Sequence, residues 1–123
     1  MDSDDSKLRV LFICSQNRMR SPTAEAIFNK KPNISARSAG IHGYARRPLT
    51  PELLAWADIV FVMEKIHRDW VRNKFTDIVG EKRIICLYIP DVYEFMSPEL
   101  ISLLEEKVPP HLSIDLIHMK RRV

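Results

Sequence analysis

Residues 8–22 read LRVLFICSQNRMRSP, from Leu8 to Pro22, and this order of residue types decides the architecture. Leu8 to Cys14 is a nearly continuous apolar run of strand length, the pattern of a β-strand covered on both faces. Ser21-Pro22 follows as a helix-start signal, with serine as N-cap and proline at the first helical position. The spacing predicts a helix from Pro22 to about Lys30, with Ala24, Ile27 and Phe28 on its inner face and Pro32 ending it. A buried strand passing through a short loop into a helix is the opening of a βα unit.

The same alternation continues outward from this unit. A second strand is expected over Ile34 to Ser38, stopped by Gly40, and Thr50-Pro51 repeats the cap-then-proline signal ahead of a short helix through Trp56. Ile59 to Met63 is another buried-type strand. Ile66, Trp70, Val71 and Lys74-Phe75 recur at helical spacing. Arg83 to Ile89 forms a fourth apolar strand, and Ser97-Pro98 opens a last helix through about Lys107. Strand and helix in alternation predict an α/β fold. It is a single three-layer domain with a four-stranded parallel sheet, helices on both faces and right-handed crossovers. In such sheets ligands bind beyond the carboxyl ends of the strands.

Composition agrees with one domain: 123 residues with 46% hydrophobic content suffice for a single core. No stretch approaches the roughly 20 apolar residues that cross a bilayer, so no membrane association is expected. Residues 1–7 read as a disordered acidic start without an apolar signal core, 8–110 as the folded domain closed by Pro109-Pro110, and 111–123 as a basic C-terminal tail. These features point to a cytoplasmic protein. The two cysteines, Cys14 and Cys86, are too few for a disulfide scaffold, and the four histidines lack ligand spacing, so neither metal nor cofactor is expected. The net charge of +3 is unevenly placed, with basic clusters at Arg46-Arg47 and Lys120-Arg121-Arg122. These read as solvated surface rather than as a nucleic-acid footprint.

The loop between strand and helix carries the chemistry. Ser15, Gln16, Asn17, Arg18, Met19 and Arg20 lie at the sheet's carboxyl edge, where a loop entering a helix turns successive N–H groups inward as an anion-binding nest. A thiol inside that field, Cys14, is favoured as thiolate. Arg20 brings a planar fork that grips two phosphate oxygens. The loop has no glycine, which makes Asn17 the candidate for a left-handed residue. Ser21 has two available roles: capping the helix, or donating its hydroxyl to the thiolate. Departure of an alkoxide or phenolate from phosphorus needs a proton. Asp91 directly follows the fourth strand, at the same edge as Cys14, with Glu94 as its rival in the same loop.

The run from Val10 to Ala26 resembles the phosphate loop of the low-molecular-weight protein tyrosine phosphatases. The likeness continues through Ser38-Ala39-Gly40, Thr50-Pro51-Glu52, Trp56-Ala57-Asp58, Val62-Met63-Glu64 and Asp91-Val92-Tyr93, roughly residues 8 to 108. The resemblance implies Cys14 as nucleophile, Arg20 as phosphate ligand and Asp91 as general acid and base. It implies phosphate binding by residues 15–21 and a substrate cleft bordered by Tyr93, Arg18 and Ser38. The implied function is phosphomonoester hydrolysis through a phosphocysteine, with phosphotyrosine in a protein, or a small aryl phosphate, as substrate. A monomer or weak dimer is expected.

This chain departs from the family in three ways. Gln16 stands where glycine is usual, Arg18 brings a charge to an apolar position, and Met19 stands where many members have a second cysteine. The segment between Gly40 and Thr50 is shortened, which predicts a shallower and more basic cleft if Arg18, Arg46 and Arg47 reach it. Two rival functions stay open: a phosphate- or phosphoprotein-binding module without turnover, and arsenate reduction, for which Cys86 is the only other thiol.

Overall fold

The computed structural model describes residues 7–112, so the acidic residues 1–6 and the basic residues 113–123 lie outside the described residues. The elements run β1 (Leu8–Cys14), α1 (Arg20–Phe28), β2 (Ile34–Gly40), α2 (Pro51–Trp56), β3 (Ile59–Val62), α3 (Lys65–Lys74), α4 (Thr76–Val79), β4 (Arg83–Cys86) and α5 (Pro98–Lys107). The four strands form one parallel sheet in the order β2-β1-β3-β4. The strand carrying Cys14 is therefore interior to the sheet, which is why its run is apolar apart from Arg9 near its start.

Alternate residues of β1 feed two cores. Leu8, Val10, Phe12 and Cys14 join Ala24, Ile27 and Phe28 of α1 with Leu100 and Leu104 of α5. Leu11 and Ile13 face the opposite way, toward Leu54 of α2, Val71 of α3 and Val79 of α4. Phe12 stacks between Phe28 and Phe61, with ring centroids at 5.6 and 5.5 Å. Cys14 thus leaves the sheet on the α1 side, at the carboxyl edge where α1 begins.

Five expectations shift in detail. The helix α1 begins at Arg20 rather than Pro22, so Ser21 lies inside its first turn and is no cap. The strand β2 runs on to Gly40, while β4 ends at Cys86 because Tyr88 has φ 56°, a left-handed backbone no strand accommodates. In α3 the buried residues are His67 and Val71, one turn apart, while Ile66 is 65% exposed. Residues 109–112, the two prolines included, form a further helical turn: Leu112 is buried in the α5-side core and the His111 ring packs edge-on against Phe61. Residues beyond Pro110 therefore take part in the core. The Thr50 and Ser97 caps form as expected, their side chains accepting from Leu53 N and Leu100 N. No described helix is long and apolar enough to cross a membrane.

Candidate active site

Where β1 ends, the chain turns through residues 15–19 and enters α1 with Arg20 as its first residue. The turn depends on Asn17, whose φ of 57° is the left-handed conformation that asparagine tolerates. That reversal brings the Asn17 N–H to within 3.3 Å of Cys14 Sγ. The Ser21 hydroxyl lies 3.0 Å from the same sulfur.

A chain of hydrogen bonds sets the direction of these protons. Ser38 gives its hydroxyl proton to the Glu25 carboxylate, so toward Asn17 it can only accept. This fixes the Asn17 amide with Nδ2 donating to Ser38 Oγ at 2.8 Å and to Ser21 Oγ at 2.9 Å. With Asn17 Nδ2 donating to its oxygen, Ser21 has one proton to share between Cys14 Sγ at 3.0 Å and the Ala39 carbonyl at 3.4 Å. Of the two roles open to Ser21, contact with the thiol is the one adopted. Ser38 is fully buried beneath the loop and does not border the cleft, which corrects that expectation: its strand passes under the loop rather than beside the opening.

The segment shortened in the sequence holds the loop from behind. Ile41 N, His42 N and Arg46 N donate to the carbonyls of Cys14, Ser15 and Gln16, and Arg46 Nε donates to Asn17 O at 2.9 Å. With those carbonyls satisfied from outside, the loop's N–H groups are left for its inner side. Met19, the residue before α1, supplies no side-chain cap, so the helix N-terminus is open to an anion.

Arg20 is 2% exposed, and its charge is paired. Nη1 donates to Glu64 and, at 2.8 Å, to the carbonyl of Ile89, while Nε faces Asp91 Oδ1 at 3.7 Å. The guanidinium is thereby anchored by one nitrogen, with its Nε edge toward the cleft. A cavity of about 180 Å³ is lined by Cys14, Ser15, Gln16, Arg18, Met19, Arg20 and Asp91. Four predicted members are outside this lining: Tyr93 packs against the α5-side core, and Asn17, Ser21 and Ser38 are fully buried beneath the floor. Glu94, the rival of Asp91, is exposed outside this lining. Arg46 and Arg47 do not reach the cavity either, because Arg46 is held by Asn17 O and Arg47 by Glu25.

Two site residues escaped the sequence reading. Glu64 follows β3 at the same edge as Asp91, a signal that topology alone could have supplied. His67, fully buried, forms a capping box with it: the Glu64 N–H donates to Nδ1 at 3.0 Å, so the ring proton is on Nε2 and donates to Ser15 Oγ at 2.9 Å. Ser15 then has its own proton available for the cleft. Burial, reinforced by the nearby Arg20 guanidinium, lowers the His67 pKa to about 4 and keeps the ring neutral near neutral pH.

The sequence model of the low molecular weight phosphotyrosine protein phosphatase family matches residues 9–51. The protein-arginine-phosphatase of Bacillus subtilis (strain 168) is 28% identical over 93 residues, covering 54% of this chain and 62% of the relative. The chain thus spans less than two thirds of that relative's length. Among solved structures, the YwlE arginine phosphatase from Geobacillus stearothermophilus superposes with a TM-score of 0.65 at 21% identity, covering 90% of this chain and 96% of that one. The low molecular weight protein tyrosine phosphatase SP-PTP from Streptococcus pyogenes gives 0.70 at 15% identity, covering 86% and 91%.

Proposed function

We propose that this chain, a shortened relative of the low molecular weight phosphotyrosine protein phosphatases, is a cysteine-dependent phosphomonoester hydrolase acting on phosphotyrosine in proteins. The observation that carries the proposal is the pairing of Ser21 and the Asn17 N–H with Cys14 Sγ at the foot of a cavity that Arg20 and Asp91 also line. In the first step the Cys14 thiolate attacks phosphorus in line. The S–P bond forms as the ester P–O bond breaks, and protonated Asp91 delivers its proton to the departing oxygen. Arg20 exchanges its Asp91 contact for the phosphoryl oxygens, joined by the loop N–H groups and the start of α1. In the second step water attacks the phosphocysteine, Asp91 takes its proton, and the S–P bond breaks to release orthophosphate and the thiolate. Gln16, Arg18 and Met19 complete the rim.

The test is steady-state hydrolysis of an aryl phosphate by wild type, Cys14→Ser and Asp91→Asn. Cys14→Ser is expected to abolish turnover, and Asp91→Asn to lower kcat about 10²- to 10⁴-fold, the usual contribution of a general acid. Wild type that binds vanadate through Arg20 but does not turn over would make the chain a phosphate-binding module instead. Phosphoarginine is a second reading, favoured by the arginine phosphatases among its relatives. The exposed Arg18 on the rim argues against it, because the leaving guanidinium is itself cationic. Matched phosphotyrosine and phosphoarginine peptides decide between them by kcat/KM.

A further inference from the structure

A second, larger cavity of about 570 Å³ adjoins the cleft, and nothing in the mechanism uses it. Arg18 lines both. The loop following β4 also borders both, giving Asp91 to the cleft and Phe95 to the groove. The two spaces therefore lie between the same pair of loops, and a chain leaving the cleft on this side enters the groove.

The groove is chemically one-sided. Arg18, Lys30, Arg46 and Arg47 line it against a single carboxylate, Glu25, which already serves Arg47 and Ser38. All four cations are exposed, and among the described residues neither Arg18 nor Lys30 forms an ion pair. Arg46 is pre-oriented by its bond to Asn17 O, so little side-chain freedom is lost when it meets an anion. Phe95, 52% exposed on the far bank, offers an apolar face to the stem of a bound side chain.

We propose that this groove is the docking site for an acidic segment of the phosphoprotein substrate, flanking the phosphorylated residue held in the cleft. This rests on the phosphatase reading and extends it to substrate choice. The occupant is peptide because the groove continues from a cleft that fits a phosphorylated side chain, and acidic because the lining carries unpaired positive charge. At about 3.3 to 3.6 Å per extended residue, neighbours within a few positions of the phosphoresidue fall within its reach.

The experiment compares kcat/KM for phosphotyrosine peptides of equal length with Glu, Gln or Lys flanks, beside an aryl phosphate, in wild type and in Lys30→Glu/Arg47→Gln and Phe95→Ala. Wild type is expected to favour the Glu-flanked over the Gln-flanked peptide about tenfold at low salt, with the Lys-flanked peptide worst and the preference fading as salt rises. The double variant is expected to lose the preference and Phe95→Ala to reduce it about threefold, while both turn over the aryl phosphate normally. Equal rates on all three peptides, or an acidic preference that survives Lys30→Glu/Arg47→Gln, would overturn the proposal. If wild type fails on the aryl phosphate itself, the catalytic reading fails separately. The groove is then judged by anisotropy of a labelled, unphosphorylated Glu-rich peptide: binding lost in the double variant upholds it, and no binding overturns it. Tighter binding of an oligonucleotide than of the acidic peptide would also overturn it.

Discussion

Replacing Gly40 with alanine tests how tightly the phosphate loop is seated. A Cβ at position 40 would lie 2.7 Å from Ser15 O, 2.7 Å from Ala45 Cβ and 2.9 Å from Gln16 C. Two of these neighbours are loop backbone, and the third belongs to the segment bracing that loop. The strand itself cannot retreat, because Gly40 N donates to Arg47 O and Leu49 N donates to Gly40 O, both at 2.9 Å. Relief therefore requires the Ser15–Gln16 peptide to move by about half an ångström or more, on the scale of an overpacked core that costs about 1–3 kcal/mol. Shifts of that order in a catalytic loop cost up to about 100-fold in rate. Gly43→Ala is the internal control, since nothing lies within 4 Å of its added Cβ and it should stay within about 0.5 kcal/mol of wild type. Urea denaturation and aryl phosphate kcat/KM of the two variants give the comparison. Gly40→Ala indistinguishable from Gly43→Ala in both assays would refute the argument that strand β2 backs the loop at van der Waals contact.

Asn17→Gly should lose only the hydrogen bonds to Ser21 and Ser38, whereas Asn17→Ala adds the left-handed backbone cost of about 1–2 kcal/mol, so urea midpoints should fall in the order Asn, Gly, Ala. Alanine as stable as glycine would contradict the strained turn. His67 has a folded pKa lowered to about 4, so the folded state binds fewer protons than the unfolded state between that value and the ordinary 6.5. Its neutral form contributes stability above pH 6.5 that is lost as pH falls toward 4, about 2 kcal/mol by pH 4.5. His67→Asn should flatten this part of the stability–pH curve, measured by denaturation at pH 7 and 4.5. An unchanged slope would mean the ring is not held neutral by burial.

The sequence carried the architecture because burial on both faces of a central parallel strand writes itself as a nearly continuous apolar run, Leu8 to Cys14, and cap-then-proline pairs mark helix starts at Thr50 and Ser97. It carried Cys14, Arg20 and Asp91 as candidates because parallel topology assigns each to the carboxyl edge of the sheet, and it singled out Asn17 because a glycine-free turn left no better residue for positive φ. Tertiary structure alone decided what depended on contacts between segments far apart in the chain. Ser38 went beneath the loop because parallel pairing sets Phe12 beside Ser38 and Cys14 beside Gly40, a register that local propensity does not encode. Arg46 and Arg47 went to a neighbouring groove because Asn17 O and Glu25 claim their guanidiniums. His67 was indistinguishable in sequence from a surface histidine of an amphipathic helix. Its role arises where the start of α3 meets the loop after β1, 52 positions away, and only the folded chain brings its ring to Ser15.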